Sequence, residues 1–133
     1  MKKKSKFLHF EIFGDNLDIN EIQLRNNLPG EIFLKGETIE RPVGRPIVSK
    51  TNRWLYSSFD QNETSINAFL YSQLKLIYRE YEKLKHFIVD NKATIELIIY
   101  ESDKNIFSLK MGKNCIKILE KIGLSILITF IDF

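Results

Sequence analysis

The apolar residues of this chain recur at two spacings, and each spacing predicts a different secondary structure. Residues 7–13 alternate between two faces, which predicts a strand with Leu8, Phe10 and Ile12 on one of them. Similar short runs predict further strands at 31–35, 53–59, 94–100, 106–110 and 125–131. Residues 36–52 show neither spacing and are predicted to form a long loop.

Three segments have helical spacing. In residues 66–88 apolar side chains recur at three- and four-residue steps, which predicts one long amphipathic helix that begins between Asp60 and Thr64. A shorter helix is expected to begin at Asp18 and Glu21, which have the spacing of a capping box. The last helix begins near Asn114 and ends at Gly123, since glycine readily adopts the left-handed conformation that closes a helix.

The resulting order is β-α-β-β-α-β-β-α-β. Its first six elements match a split βαβ, ferredoxin-like arrangement. We therefore predict an α+β fold with a mainly antiparallel sheet and helices on one face. The strands at 94–100 and 125–131 are apolar on both faces, so the second face should also be covered. Either the long loop shields it, or part of it meets another chain, a copy of itself or a different protein.

Length and charge limit the organisation of the chain. Its 133 residues suffice for one domain, predicted at 7–133 after a flexible basic tail at 1–6. The tail holds Lys2, Lys3, Lys4 and Lys6, and without them the net charge of +3 becomes slightly negative. Because domains that bind nucleic acid usually have a basic folded body, nucleic-acid binding is not expected.

Cysteine content and hydropathy predict a cytoplasmic protein. Cys115 is the single cysteine of the sequence, so no internal disulfide forms, as is usual in a reducing compartment. The N-terminal residues lack the pattern of a signal peptide. The apolar run at 124–133 is about half as long as a membrane-spanning helix. No membrane association is therefore expected.

No catalytic or metal-binding motif is recognisable. His9, His86 and Cys115 lie on separate predicted elements, whereas a zinc site needs three or four converging ligands. His9 and His86 are expected at the surface and Cys115 in the core. We assign no catalytic residue, no metal ligand and no cofactor, and we predict that the protein is not an enzyme.

The long loop is the best candidate for a binding site. It is rich in proline, glycine and basic residues, and guanidinium groups pair well with carboxylates and phosphates. The candidate binding residues are Arg41, Arg45, Lys50, Arg53 and Trp54. The structural alternatives are that the charges are merely solvated and that Trp54 anchors the core.

Several of these features together resemble a bacterial family of domains of unknown function, family 4279. The resemblance covers nearly the whole chain and rests on the order of Gly14-Asp15, Asp18, Glu21, Leu28-Pro29, Lys35-Gly36-Glu37, the arginine-bearing loop and Trp54. It implies a stand-alone cytoplasmic domain with no established activity. For some members it implies immunity or accessory proteins encoded beside toxin or defence genes.

Two functional hypotheses follow. The first is a non-enzymatic protein-binding domain, in its most specific form an immunity protein that neutralises a bacterial toxin by surface complementarity. The partner is then another protein, or a second copy bound through the sheet face. The alternative is a sensor of a small anion or nucleotide that uses the basic loop 35–53.

Overall fold

In the described part of the chain the main sheet has five strands, and the first of them in sequence lies at its centre. The computed structural model describes residues 5–40, 44–60, 65–101 and 111–132. Along the chain, the elements are β1 (Ser5–Gly14), α1 (Ile19–Arg25), β2 (Glu31–Phe33), β3 (Thr38–Ile39), β4 (Ile47–Val48), β5 (Asn52–Asp60), α2 (Ile66–Arg79), α3 (Tyr81–Asp90), β6 (Lys92–Glu101), α4 (Lys113–Ile122) and β7 (Ile126–Asp132). The sheet order is β2-β5-β1-β6-β7, and only β6 and β7 are parallel neighbours. The predicted α+β class and mainly antiparallel sheet are confirmed.

The ferredoxin-like start is visible in the strand order. Strand β5 lies between β1 and β2 and is antiparallel to both, which is the arrangement of a split βαβ unit. Apolar and polar side chains alternate along β1, and the helices pack against the face that carries the apolar ones. The core on that face contains Leu8, Phe10, Ile12, Trp54, Ile95 and Leu97, together with Ile22, Leu70, Leu74, Ile77, Leu84 and Ile118 from the helices.

The predicted helix ends are largely confirmed. Asp18 is the N-cap of α1, and its carboxylate accepts a hydrogen bond from the Glu21 amide at 3.1 Å. The Glu21 carboxylate pairs with Arg25 Nε at 2.7 Å. Gly123 closes α4 with φ +73°, and its amide donates to the Leu119 carbonyl.

The prediction of one long helix at 66–88 is wrong, because the helix is interrupted at Glu80. The amide of Glu80 donates to the carbonyls of Ile77 and Tyr78 instead of continuing the regular ladder. Its buried carboxylate accepts a hydrogen bond from the amide of Asn27, far away in sequence. α2 begins at Ile66 with Ser65 as its N-cap, later than predicted.

The segment predicted as an irregular loop contains a hairpin. Strands β3 and β4 pair antiparallel, with Thr38 opposite Val48 and Ile39 opposite Ile47, in a sheet separate from the main one. At the base, the Gly36 amide donates to the Ser49 carbonyl and the Ser49 amide donates to the Glu37 carbonyl. Two-residue strands are too short to produce a recognisable alternation, which is why the sequence pattern missed them.

The boundary between tail and domain also needs correction. Strand β1 begins at Ser5, and Lys6 forms an ion pair of 2.9 Å with Asp60. Their side chains are 5% and 4% exposed, so Lys6 belongs to the folded interior and not to a solvated tail. Residues 1–4 lie outside the described residues, as do the predicted turn at 102–105 and the predicted strand at 106–110.

No helix in the described part of the chain is long and apolar enough to cross a membrane.

Candidate functional site

A cavity lies on the face of the main sheet that the helices leave open. The side chains of β1, β5, β6 and β7 that point away from the helices form its floor, and the β3–β4 hairpin forms a wall. Its volume is about 390 Å³, which is within the range of small-ligand sites. The lining residues are His9, Glu11, Ile39, Glu40, Ile47, Arg53, Leu55, Thr94, Glu96, Ile98, Thr129 and Ile131.

His9 lies at the centre of this floor because β1 is the central strand. The register places it opposite Ser57 on one side and Glu96 on the other. Its Nδ1 forms a hydrogen bond of 2.8 Å with Ser57 Oγ, and its buried Nε2 has no hydrogen-bond partner among the described residues. Burial lowers the pKa of His9 below 6.5, while the charges of Glu96 and Glu11 offset part of this effect. The imidazole is therefore neutral at neutral pH.

Glu11 and Arg53 form an ion pair at one end of the cavity. Arg53 Nη1 lies 2.6 Å from Glu11 Oε2, and the guanidinium stacks over the ring of Phe13 at 4.6 Å. The Thr94 hydroxyl donates a long hydrogen bond of 3.4 Å to Glu11 Oε1. These contacts fix Arg53 on the floor and largely neutralise its charge.

Glu96 has a different environment. The hydroxyl of Thr129 donates to Glu96 Oε2 at 2.9 Å, and no described cation forms a salt bridge with this carboxylate. Glu40 adds another carboxylate to the lining. The charged residues in the described lining are thus Glu11, Glu40 and Glu96 against Arg53, so this part of the lining has an excess of negative charge.

The residues predicted from the sequence, so far as the structure describes them, are divided between the cavity, the core and the hairpin. Arg53 lies in the cavity, but its neighbour Trp54 points to the opposite face, where it is 0% exposed and its Nε1–H donates to Gln23 Oε1 at 2.9 Å. Arg45 and Lys50 are exposed on the hairpin. Arg41 lies outside the described residues. Trp54 therefore anchors the core and contributes nothing to a binding surface.

The sequence reasoning missed His9, Glu11, Glu96 and Thr129 as a group. Strand alternation placed His9 and Glu11 on the face opposite Leu8 and Phe10, so a signal was available. However, the register that brings Glu96 and Thr129 beside them involves strands that are distant in sequence.

Metal and thiol chemistry find no support in the described residues. Among them, no group of three or more His, Cys, Asp or Glu side chains is placed to hold a metal ion. Cys115 is buried, and its Sγ lies 3.5 Å from Asn67 Oδ1. Burial raises the pKa of the Cys115 thiol, as expected for a core cysteine.

The exposed apolar side chains of the hairpin are a second notable feature, and one of them, Ile47, also lines the cavity. Both residues of β4 are exposed although they are apolar, with Ile47 39% and Val48 59% accessible. Leu34 at the base of the hairpin and the cations Arg45 and Lys50 are also exposed. We refer to Leu34, Arg45, Ile47, Val48 and Lys50 as the hairpin surface.

Comparison with known proteins identifies the family but no activity. No curated protein and no solved structure matches the chain. The model of a protein family described as "Domain of unknown function (DUF4279)" matches residues 3–132. Because this match spans nearly the whole chain, as the resemblance in the sequence implied, the protein belongs to the DUF4279 family.

Proposed function

We propose that this chain is a non-enzymatic binding protein that recognises another protein through the hairpin surface. The observation that carries the proposal is the exposure of Ile47 and Val48 on a strand whose one neighbour among the described strands is β3. Exposed apolar side chains of this kind are typical of the centre of a protein interface, and charged side chains are typical of its rim.

The charges of the hairpin favour an acidic partner. Arg45 and Lys50 are both exposed, whereas the carboxylate of Glu37 accepts a hydrogen bond from the Leu34 amide and Glu40 lines the cavity. Arginine and lysine on the rim of an interface accelerate association with a surface of opposite charge. The partner that fits is a protein with an apolar centre surrounded by carboxylates.

The most specific form of this proposal is an immunity protein in a bacterial cytoplasm. Such a protein neutralises a toxin by covering it and requires no catalytic group of its own. A stable interface buries about 800 Å² on each partner, so the hairpin surface would form only its centre.

The test uses the whole chain as bait in its native cell and then the purified partner. Val48→Asp places a charge on the apolar hairpin surface and should abolish capture. Val89→Asp makes the same change on α3, where Val89 is 78% exposed, and should leave capture intact. Both variants should keep the melting temperature of the wild type. Equal capture by the two variants would disprove a role of the hairpin.

The immunity role needs a separate readout. The captured partner is expressed in a sensitive cell with either the wild-type chain or Val48→Asp. If the chain is an immunity protein, the partner alone is toxic, the wild type protects and the variant does not. A partner that is harmless by itself would refute the immunity role while leaving protein binding intact.

The alternative of a small-anion or nucleotide sensor gains no support from the site. Among the described lining residues, Arg53 is the one with a permanent positive charge, and Glu11 already pairs with it. The alternative remains a prediction that thermal-shift measurements with nucleotides and inorganic phosphate can check, since a ligand at 100 times its Kd adds about 2.7 kcal/mol of stability.

A further inference from the structure

We infer that the cavity between the hairpin and the open face of the sheet binds a small organic cation, with an ammonium or guanidinium group on a short apolar body. The cavity shares Ile47 with the hairpin surface, but the inference does not depend on the proposed protein-binding role. The inference rests on a cavity of about 390 Å³, on the carboxylates that line it and on the apolar side chains around them.

The carboxylate of Glu96 has unused hydrogen-bonding capacity. Its Oε2 accepts one hydrogen bond from Thr129, whereas a carboxylate can accept about four. No described cation forms a salt bridge with it, although it lies within a partly enclosed cavity beside a buried imidazole. A ligand ammonium or guanidinium would supply a charge-assisted hydrogen bond to this carboxylate.

The other charged groups described in the cavity favour a cation over an anion. Among the described lining residues, Arg53 alone is basic with a permanent charge, and it is held by Glu11. His9 between Glu96 and Ser57 is neutral at neutral pH because of its burial, so it does not repel a cation. An anion would face Glu11, Glu40 and Glu96, and it is therefore disfavoured.

Part of the cavity lining is apolar. Leu55, Ile98 and Ile131 from the main sheet face Ile39 and Ile47 from the hairpin. Contact with a hydrated metal ion would not bury these side chains in an apolar environment. The described residues also include no metal-binding group of three ligands. The apolar side chains suit a ligand with a few methylene groups, since each buried CH₂ contributes about 0.8 kcal/mol.

The experiment compares four probes of equal length: n-butylammonium, n-butylguanidinium, n-butanol and butyrate. Isothermal titration of the full chain at low salt should show saturable binding of one or both cations at a single site. The alcohol and butyrate should bind at least about tenfold more weakly, a difference of about 1.4 kcal/mol. Binding of butyrate as tight as that of the cations would overturn the inference. So would the lack of saturable cation binding up to about 10 mM.

The site is located with two variants and one spectroscopic measurement. Glu96→Gln keeps the shape of the side chain and should weaken cation binding at least about tenfold. Glu120→Gln makes the same change on the exposed side of α4 and should have no effect. The methyl resonances of Ile39, Ile98 and Ile131 should shift during the titration. Unchanged affinity in Glu96→Gln, or shifts confined to other methyl groups, would show that the cation does not bind here.

The same cationic group could be free or could belong to a lysine or arginine of a protein partner. If a partner supplies it, n-butylguanidinium competes with the partner in the capture assay, and Glu96→Gln weakens capture. If the ligand is free, neither effect occurs, although the probes still bind. Because Val48→Asp tests the hairpin surface and Glu96→Gln tests the cavity, either proposal can fail without the other.

Discussion

The backbone amide of Asn27 donates a hydrogen bond to Oε1 of Glu80 at 2.6 Å. Glu80 is buried at the junction between α2 and α3, and the cations of Arg79 and Lys83 lie 3.9 and 3.8 Å from its carboxylate oxygens. One side chain thus interrupts the long helix and holds the segment that follows α1 against the interruption.

Glu80→Ala should destabilise the protein by about 1–3 kcal/mol, because the Asn27 amide loses its acceptor. Glu80→Gln keeps an amide oxygen at this position and should cost less. Urea unfolding measures both. Glu82→Ala is the control, since its exposed pair with Lys85 contributes about 0–1 kcal/mol. Equal losses for Glu80→Ala and Glu82→Ala would contradict the role given to Glu80.

Lys6 and Asp60 form a buried ion pair, so Lys6→Met should cost about 3–5 kcal/mol by leaving the carboxylate without its lysine in the interior. The double variant Lys6→Met, Asp60→Leu should lose less than the sum of the single variants. Thermal unfolding at neutral pH provides the comparison, with the exposed Lys117→Met as control. If Lys6→Met is as stable as the wild type, the ion pair does not contribute to folding and Lys6 behaves as part of a solvated tail.

Gly30 lies against the indole ring of Trp54, and a Cβ atom at this position would overlap Nε1 and Cε2 of the ring. Gly30→Ala should therefore destabilise the protein by about 1–3 kcal/mol. In a Trp54→Phe background the ring is smaller and the added cost of Gly30→Ala should fall. A double-mutant cycle in urea tests this coupling. Additive losses would mean that the two residues do not interact.

His9 should make stability depend on pH. Burial is the main cause of its lowered pKa, and the groups that face it are Glu96, Glu11 and Ser57. Below about pH 6.5 the unfolded chain binds a proton that the folded protein binds less readily, so stability falls as the pH decreases. Denaturant unfolding between neutral and mildly acidic pH should show this fall. The difference between the wild type and His9→Gln isolates it, since the carboxylates are present in both. Identical slopes would contradict the prediction.

Local patterns predicted the strand and helix types well. The alternation in β1, the N-cap at Asp18 and the C-cap at Gly123 each involve neighbouring residues, so the sequence contains the whole signal. The interruption at Glu80 was not predictable in this way, because its carboxylate is bound by the amide of Asn27, which is 53 residues away in sequence.

The candidate site was harder to predict. The basic residues of 35–53 formed a cluster in sequence, but adjacent residues of a strand point to opposite faces, which separates Arg53 from Trp54. The alternation of side chains along a strand could have shown in advance that Arg53 and Trp54 do not share a binding surface. By contrast, His9 lies opposite Glu96 because of the register between β1 and β6, and no local sequence pattern specifies that register.

The central position of β1 has a consequence for how the chain folds. This strand precedes both of its neighbours, and its pairs join Gly14 to Asn52 and Ser5 to Tyr100. No early hairpin can form on it, so the entropy of closing long loops must be overcome before its hydrogen bonds form. We therefore expect slow folding for a domain of this size, with the unpaired edges of β1 exposed to aggregation until β5 and β6 have both docked.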